Sequence, residues 1–209
     1  RDNGFQGDSQ NGSGIWVADY GTEMLATDYD DLVVSNCFVH SNREGVALAM
    51  DSRYSTIINN KVANNAGNGI YGYGNCQNSR IINCISYNNQ LYGYGQSSYP
   101  DNQNNTLINS TIANNGRGIT IGNTNNQKIY NSIIWGNHNN PSNISNASDI
   151  ANSAFSFTPP AGTDNIELNA DNSNPAGPQF LAPTGTYGTG AAGWQSADWQ
   201  IQETSACVD

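Results

Sequence analysis

The sequence repeats a short asparagine-rich segment at nearly regular intervals, and this repeat constrains the fold more than any other feature. Five eight-residue segments superpose without gaps: SNCFVHSN from Ser35, INNKVANN from Ile58, INCISYNN from Ile82, INSTIANN from Ile108 and YNSIIWGN from Tyr130. Their anchoring asparagines are 23, 24, 26 and 22 residues apart, at Asn36, Asn59, Asn83, Asn109 and Asn131. Short strands at this period, separated by Asn and Gly turns, predict an all-β parallel solenoid.

The aligned positions predict which side chains fill the core. One inward column is aliphatic in every coil: Val34, Ile57, Ile81, Leu107 and Ile129. A second inward column holds Val39, Val62, Ser86, Ile112 and Ile134. A mixed column fits an inward position at a bend: Cys37, Asn60, Cys84, Ser110 and Ser132. The anchoring asparagines suit left-handed backbone at that bend, and we expect about five to six coils.

The repeat occupies residues 1–137, with an incomplete first coil, and residues 138–209 interrupt it. Gly and Pro are frequent in this second part, so we predict a loop-rich C-terminal cap packed on the last coil. Five aromatic residues are candidates to cover the open core there: Phe155, Phe157, Phe180, Trp194 and Trp199. Residues 1–13 read as the turn after a missing strand. We therefore expect either a section of a longer polypeptide or a protomer that associates end to end.

Over residues 14–137 the pattern resembles the right-handed parallel β-helix repeat family, which includes pectate lyases, other polysaccharide-processing enzymes and surface adhesins. The segments GPQFLAP (177–183) and ADWQIQETSACVD (197–209) are similar to the C-terminal part of secreted bacterial choice-of-anchor β-helix proteins. The resemblance implies a right-handed β-helix and an extracellular or cell-surface location. It implies no particular reaction, since no catalytic motif of the family matches.

The charge balance excludes some partners. Seven basic and 17 acidic residues give a net charge of −10, and only 11% of residues are charged. So few cations cannot neutralise a nucleic-acid backbone, and an anionic membrane surface is disfavoured for the same reason. The chain has no run of 18 apolar residues, so we expect no membrane insertion in this segment.

Cysteines and sequons are informative for an extracellular protein. Cys37 and Cys84 share a column but lie two rungs apart, about 9–10 Å, which is too far for a disulfide. They are predicted to be buried free thiols within the stack, and the states of Cys76 and Cys207 are left open. N-glycosylation sequons, several of which chance alone would produce, begin at Asn11, Asn104, Asn109, Asn143 and Asn146.

The strand that follows each repeat predicts an exposed aromatic patch. Alternate outward positions form two columns: Trp16, Ala47, Tyr71, Tyr92 and Thr120, then Ala18, Ala49, Tyr73, Tyr94 and Gly122. Aromatic faces stack on sugar rings, so Trp16, Tyr71, Tyr73, Tyr92 and Tyr94 are candidates for carbohydrate binding. The alternatives are that the tyrosines stabilise neighbouring strands or lie beneath the loop 96–105.

Catalytic and metal-binding residues are less well indicated. The charged candidates near this face are scattered over turns: Asp19, Glu23, Arg43, Glu44, Asp51, Arg53, Asp101 and Arg117. A glycosidase needs two carboxylates beside the scissile bond. His40 and His138 fall outside this face and are more often surface residues than catalysts. Calcium is the candidate cofactor, with Asp28, Asp30 and Asp31 crowded in one turn, although such a turn is more often a solvated acidic loop.

These patterns favour a secreted or surface β-solenoid that binds polysaccharide or glycan, acts as an adhesin, or forms an extracellular filament, without catalysis. The alternative hypothesis is a fragment of a polysaccharide lyase or glycosidase whose catalytic residues lie partly outside this chain.

Overall fold

The computed structural model describes residues 12–18, 32–49, 52–74, 76–98, 102–122, 126–139, 144, 147 and 149–207. Within these ranges the regular structure is β-strand apart from 3₁₀ turns such as Trp194–Ser196, and no α-helix occurs. Accordingly, no helix in the described part of the chain is long and apolar enough to cross a membrane.

Each coil contributes one strand to each of three parallel sheets. Sheet I contains β1 (Ser13–Ala18), β4 (Glu44–Ala49), β7 (Ile70–Gly72), β10 (Tyr92–Gln96) and β13 (Arg117–Ile121). Sheet II contains β2 (Val33–Ser35), β5 (Thr56–Ile58), β8 (Arg80–Ile82), β11 (Thr106–Ile108), β14 (Lys128–Tyr130) and β16 (Asp149–Ala151). Sheet III contains β3 (Phe38–His40), β6 (Lys61–Ala63), β9 (Ile85–Tyr87), β12 (Thr111–Ala113), β15 (Ile133–Trp135), β17 (Ala154–Phe155) and β18 (Ile166–Glu167). Among the described strands, only β19 (Phe180–Ala182) and β20 (Asp198–Ile201) pair antiparallel.

The predicted all-β parallel solenoid is confirmed. Strands β2–β4, β5–β7, β8–β10 and β11–β13 form four complete coils, here called the first to the fourth. Incomplete coils lie on both sides of them, and the predicted number of five to six includes those. The repeat also continues past residue 137, because β16 pairs with β14 and β17 pairs with β15.

The inward columns lie where the sequence places them. Ile57, Ile81, Leu107 and Ile129 are fully buried, as are Val62, Ile112 and Ile134 in the second column. The anchoring asparagines turn the bend between sheets II and III with φ between 48° and 57°: Asn36, Asn59, Asn83, Asn109 and Asn131. The left-handed backbone predicted at this bend is therefore confirmed, and Asn tolerates it better than most residues.

A second set of asparagines, here called the asparagine ladder, fills the bend between sheets III and I. Its members are buried and one coil apart: Asn42, Asn65, Asn89, Asn115 and Asn137. Each side-chain amide donates to the carboxamide oxygen of the next member, from 3.3 Å for Asn42 to Asn65 down to 2.8 Å for Asn65 to Asn89. The ladder satisfies buried amides that would otherwise be costly to desolvate.

The C-terminal residues follow the side of the solenoid as well as its end. Phe155 and Phe157 belong to the main core, but Phe180, Trp194 and Trp199 do not. These three pack outside sheet III, in a cluster that contains Tyr87 and Trp135. The Tyr87 hydroxyl donates to the Trp194 carbonyl at 3.0 Å, and the Trp135 indole donates to the Asn169 carbonyl at 3.1 Å.

All four cysteines are free, as predicted for Cys37 and Cys84; the predicted burial is confirmed for Cys84 and is wrong for Cys37. Cys76 and Cys84 are fully buried, whereas Cys37 and Cys207 are half-buried. Burial raises the pKa of the Cys76 thiol to about 12 and also raises the pKa of the Cys84 thiol.

Selective alkylation tests this arrangement. We expect iodoacetamide at pH 8 to label Cys37 first in the native protein, while Cys76 and Cys84 stay unmodified for as long as the fold persists. In denaturant all four should react, and peptide mass spectrometry reads the modified sites. Rapid native labelling of Cys76 would contradict its buried position.

Candidate functional site

Four aromatic side chains lie in contact across the outer face of sheet I. The Trp16 and Tyr73 rings stack with centroids 5.9 Å apart, and Tyr71 meets Tyr73 at 4.6 Å. Tyr92 continues the line at 6.4 Å from Tyr71. We call these residues the aromatic row. Trp16 is 36% exposed and the three tyrosines are half-buried, so the row is a continuous, partly accessible surface.

One predicted member of the patch does not belong to it. Tyr94 is only 2% exposed and lies in the main core, beside Ile70 and Ile119 in register. The prediction that Tyr94 faces outward is therefore wrong. Its hydroxyl accepts a hydrogen bond from the buried Gln96 amide at 3.0 Å, and burial raises the pKa of the Tyr94 phenol.

The error comes from the register of β10, which differs by three residues from the predicted column. Tyr71 pairs with Gly95 rather than with Tyr92, and Tyr92 pairs with Arg117. The signal that could have found the register is a column of inward glycines at equal coil positions: Gly14, Gly45, Gly69, Gly93 and Gly118. A Cβ at any of them would crowd the ladder or sheet III side chains.

Small residues underneath give the rings room to lie across the coils. Ala47 stands between Trp16 and Tyr71 in register and is fully buried. At Gly95, a Cβ would come within 2.5 Å of the Tyr71 ring, so Tyr71 lies directly against this backbone. The row is thus formed from three strands of sheet I together with Tyr73, just after β7.

Glu44 is the carboxyl group beside the row. Its Oε2 accepts the Asn68 backbone amide at 2.8 Å, and the Tyr73 phenol lies beside the same carboxylate. Burial raises the pKa of Glu44, although hydrogen bonding to Asn68 and the charge of nearby Arg43 oppose the shift. Burial, together with the Glu44 charge, raises the pKa of the Tyr73 phenol well above its usual range. The Tyr73–Glu44 contact was not predicted from the sequence.

Arg117 closes the other end of the row. Its guanidinium lies 5.4 Å from the centre of the Tyr92 ring, and Nη1 donates to the Tyr92 hydroxyl at 3.1 Å. This is cation–π geometry at an exposed site. The group holds Tyr92 at the edge of the aromatic row and places a positive charge there.

Of the predicted calcium and glycosylation residues, the structure describes only Asn104 and Asn109, which lie away from this face. Asn104 and Asn109 are exposed at left-handed turns on other bends, and their modification stays a prediction. The calcium candidates Asp28, Asp30 and Asp31 and the sequons at Asn11, Asn143 and Asn146 lie outside the described residues. Asp19, Glu23, Asp51 and Asp101 lie outside them as well. Among described residues, no group of three or more His, Cys, Asp or Glu could hold a metal ion.

Comparison with known families bears on the fold. Residues 3–99 match the family model for the right handed beta helix region. The chain carries a right-handed beta-helix region. That region contains the whole aromatic row and the first three coils. No curated protein and no solved structure matches the chain significantly.

Proposed function

We propose that this beta-helix protein binds carbohydrate through the aromatic row, as a secreted or cell-surface protein without catalysis. The observation that carries the proposal is the contiguous line of partly exposed rings from Trp16 to Tyr92. Aromatic rings offer an apolar face to the C–H side of a sugar, and tyrosine hydroxyls remain available as hydrogen-bond partners.

The order of the rings favours a linear glycan. Trp16 lies on β1, Tyr71 on β7 and Tyr92 on β10, so the row advances along the solenoid axis. The protein has a net charge of −10, and Arg117, a cation at this face, is hydrogen-bonded to Tyr92. A neutral polysaccharide therefore fits the row better than a polyanion does, because like charges would repel it.

Binding to a glycan array tests the proposal, followed by calorimetric titration of the best ligand. We expect Trp16→Ala and Tyr73→Ala each to weaken binding at least about tenfold, which is roughly 1.4 kcal/mol. The matched control is Tyr54→Asn. Tyr54 is also exposed and has φ of 51°, and Asn78, Asn104 and Asn126 adopt the same left-handed conformation in later turns.

Equal affinity of the row variants and the native protein would contradict the proposal, provided that their unfolding midpoints match. Loss of binding in Tyr54→Asn would also contradict it, since that side chain is no member of the row.

A second candidate function, a glycosidase or polysaccharide lyase fragment, is favoured by Glu44. A half-buried carboxyl with a raised pKa beside a binding surface is suited to donate a proton to a leaving group. A glycosidase also needs a second carboxylate. Release of reducing ends from the array ligand, lost in Glu44→Gln while affinity is kept, would support it. Turnover of a uronate polymer, followed by absorbance of the unsaturated product and lost in Arg117→Ala, would support a lyase.

A further inference from the structure

The residues from 184 to 194, here called the strap, run down the outside of the solenoid against one bend. The Asn114 side chain, at the fourth coil, donates to the Thr184 carbonyl at 2.7 Å and to its hydroxyl at 2.9 Å. Asn88, one coil earlier, donates to the Thr186 carbonyl at 2.8 Å and accepts from the Thr184 hydroxyl at 2.8 Å.

The strap continues to the second and first coils. The Gly190 amide donates to the Asn64 side-chain oxygen at 2.7 Å. Trp194 then reaches the first coil, where its ring centre lies 5.3 Å from His40 and 6.1 Å from Phe38. One segment of the chain therefore contacts all four complete coils in succession.

The glycines of the strap match its length to the rise of the coils. Three rungs span roughly 14 Å, whereas ten extended residues would span about 33 Å. Gly188, Gly190 and Gly193 have φ of 75°, 77° and 77°, a conformation that side chains resist. These bends shorten the strap, so that its hydrogen-bonding groups meet successive coils.

A strap of this kind changes how a solenoid unfolds. In a repeat array each coil contacts its neighbours, so stability is close to a sum of local contributions and an end coil can open alone. We propose that the strap is a clamp that couples the first to the fourth coil into one cooperative unfolding unit. Opening the first coil alone would break the Trp194 contacts and free an end of the strap.

Native-state hydrogen exchange in increasing urea tests the clamp on the full chain. The peptides to follow are those containing β2–β4 and β11–β13. The double variant Gly190→Ala/Gly193→Ala weakens the strap through backbone strain, because both glycines have a φ of 77° that alanine resists. Steric overlap does not contribute, since an added Cβ meets nothing within 4 Å at Gly190 and only the Ser196 hydroxyl at 3.9 Å at Gly193. The matched control is Gly185→Ala, where a Cβ also meets open space and no positive φ is needed.

In the native protein and the control we expect both coils to lose protection at one urea concentration. In the double variant the first coil should exchange at least tenfold faster than the fourth at moderate urea. Three results would overturn the clamp: separate opening of the two coils in the native protein, equal loss of protection at both coils in the double variant, or no change in the double variant.

Discussion

Gly69→Ala is expected to destabilise the fold by about 3 kcal/mol or more, a large part of the 5–15 kcal/mol that typical domains possess. Gly69 lies just before β7, close to Asn89 of the asparagine ladder. A Cβ there would overlap the Ser86 hydroxyl and approach the Gly93 carbonyl oxygen at 2.7 Å. That oxygen is backbone, so the conflict can be relieved only by separating two coils.

Urea denaturation followed by tryptophan fluorescence measures the effect. The control is Gly185→Ala, which adds the same methyl group where no atom lies within 4 Å and should shift the free energy of unfolding by less than about 0.5 kcal/mol. A Gly69→Ala protein with native stability would show that the coils are not packed as closely as described.

Asn89→Ala should be nearly as damaging, with an expected loss of about 3 kcal/mol in the free energy of unfolding. Asn89 is fully buried at the middle of the asparagine ladder. Its amide donates to Asn115 at 2.9 Å, and its oxygen accepts both the backbone amide of Asn65 at 3.1 Å and its side-chain amide at 2.8 Å. Alanine would leave several of these groups buried without partners, and each such group costs about 1–3 kcal/mol.

Asn89→Asp separates hydrogen bonding from volume. It keeps the size of the side chain but replaces the amide donor with a carboxylate, which would face the Val62 carbonyl that Asn89 now contacts at 3.2 Å. We expect it to be at least as destabilising as alanine at neutral pH. The control Asn83→Gly removes an exposed bond to Asn59 and permits the φ of 51°, so it should cost about 0.5 kcal/mol. Equal effects at positions 83 and 89 would contradict the importance of burial.

Much of the fold could be read from local pattern. Two local features recur in every coil. Alternation along the strands places side chains such as Ile57 and Val62 inward, and an asparagine turns each bend, so equivalent positions in successive coils have the same environment. Side-chain direction alternates along a strand whatever the partner strand is. For that reason the core columns and the bend at Asn59 were predicted correctly.

All four residues of the aromatic row were predicted to face outward, but Tyr94 was wrongly included with them, because its direction depends on the register between coils. Trp16, Tyr71 and Tyr73 follow from alternation within their own segments. The inward direction of Tyr94 does not follow from alternation alone, because it depends on the register in which β10 pairs with β7. In that register Gly95, rather than a tyrosine, lies opposite Tyr71. The structure places Tyr92 in the aromatic row and Tyr94 in the core, because Gly93 occupies the position against the asparagine ladder.

The sequence by itself determined the parallel solenoid, its inward columns and its left-handed asparagine bends, because these repeat every coil and need only local backbone preferences. Tertiary structure alone decided the burial of Tyr94, the Glu44–Tyr73 contact and the course of the strap. Those features join residues that no periodic signal connects, such as Asn64 and Gly190, which are 126 positions apart. They exist because the stacked coils bring distant polar groups within hydrogen-bonding distance and remove apolar rings from water, and both changes lower the free energy.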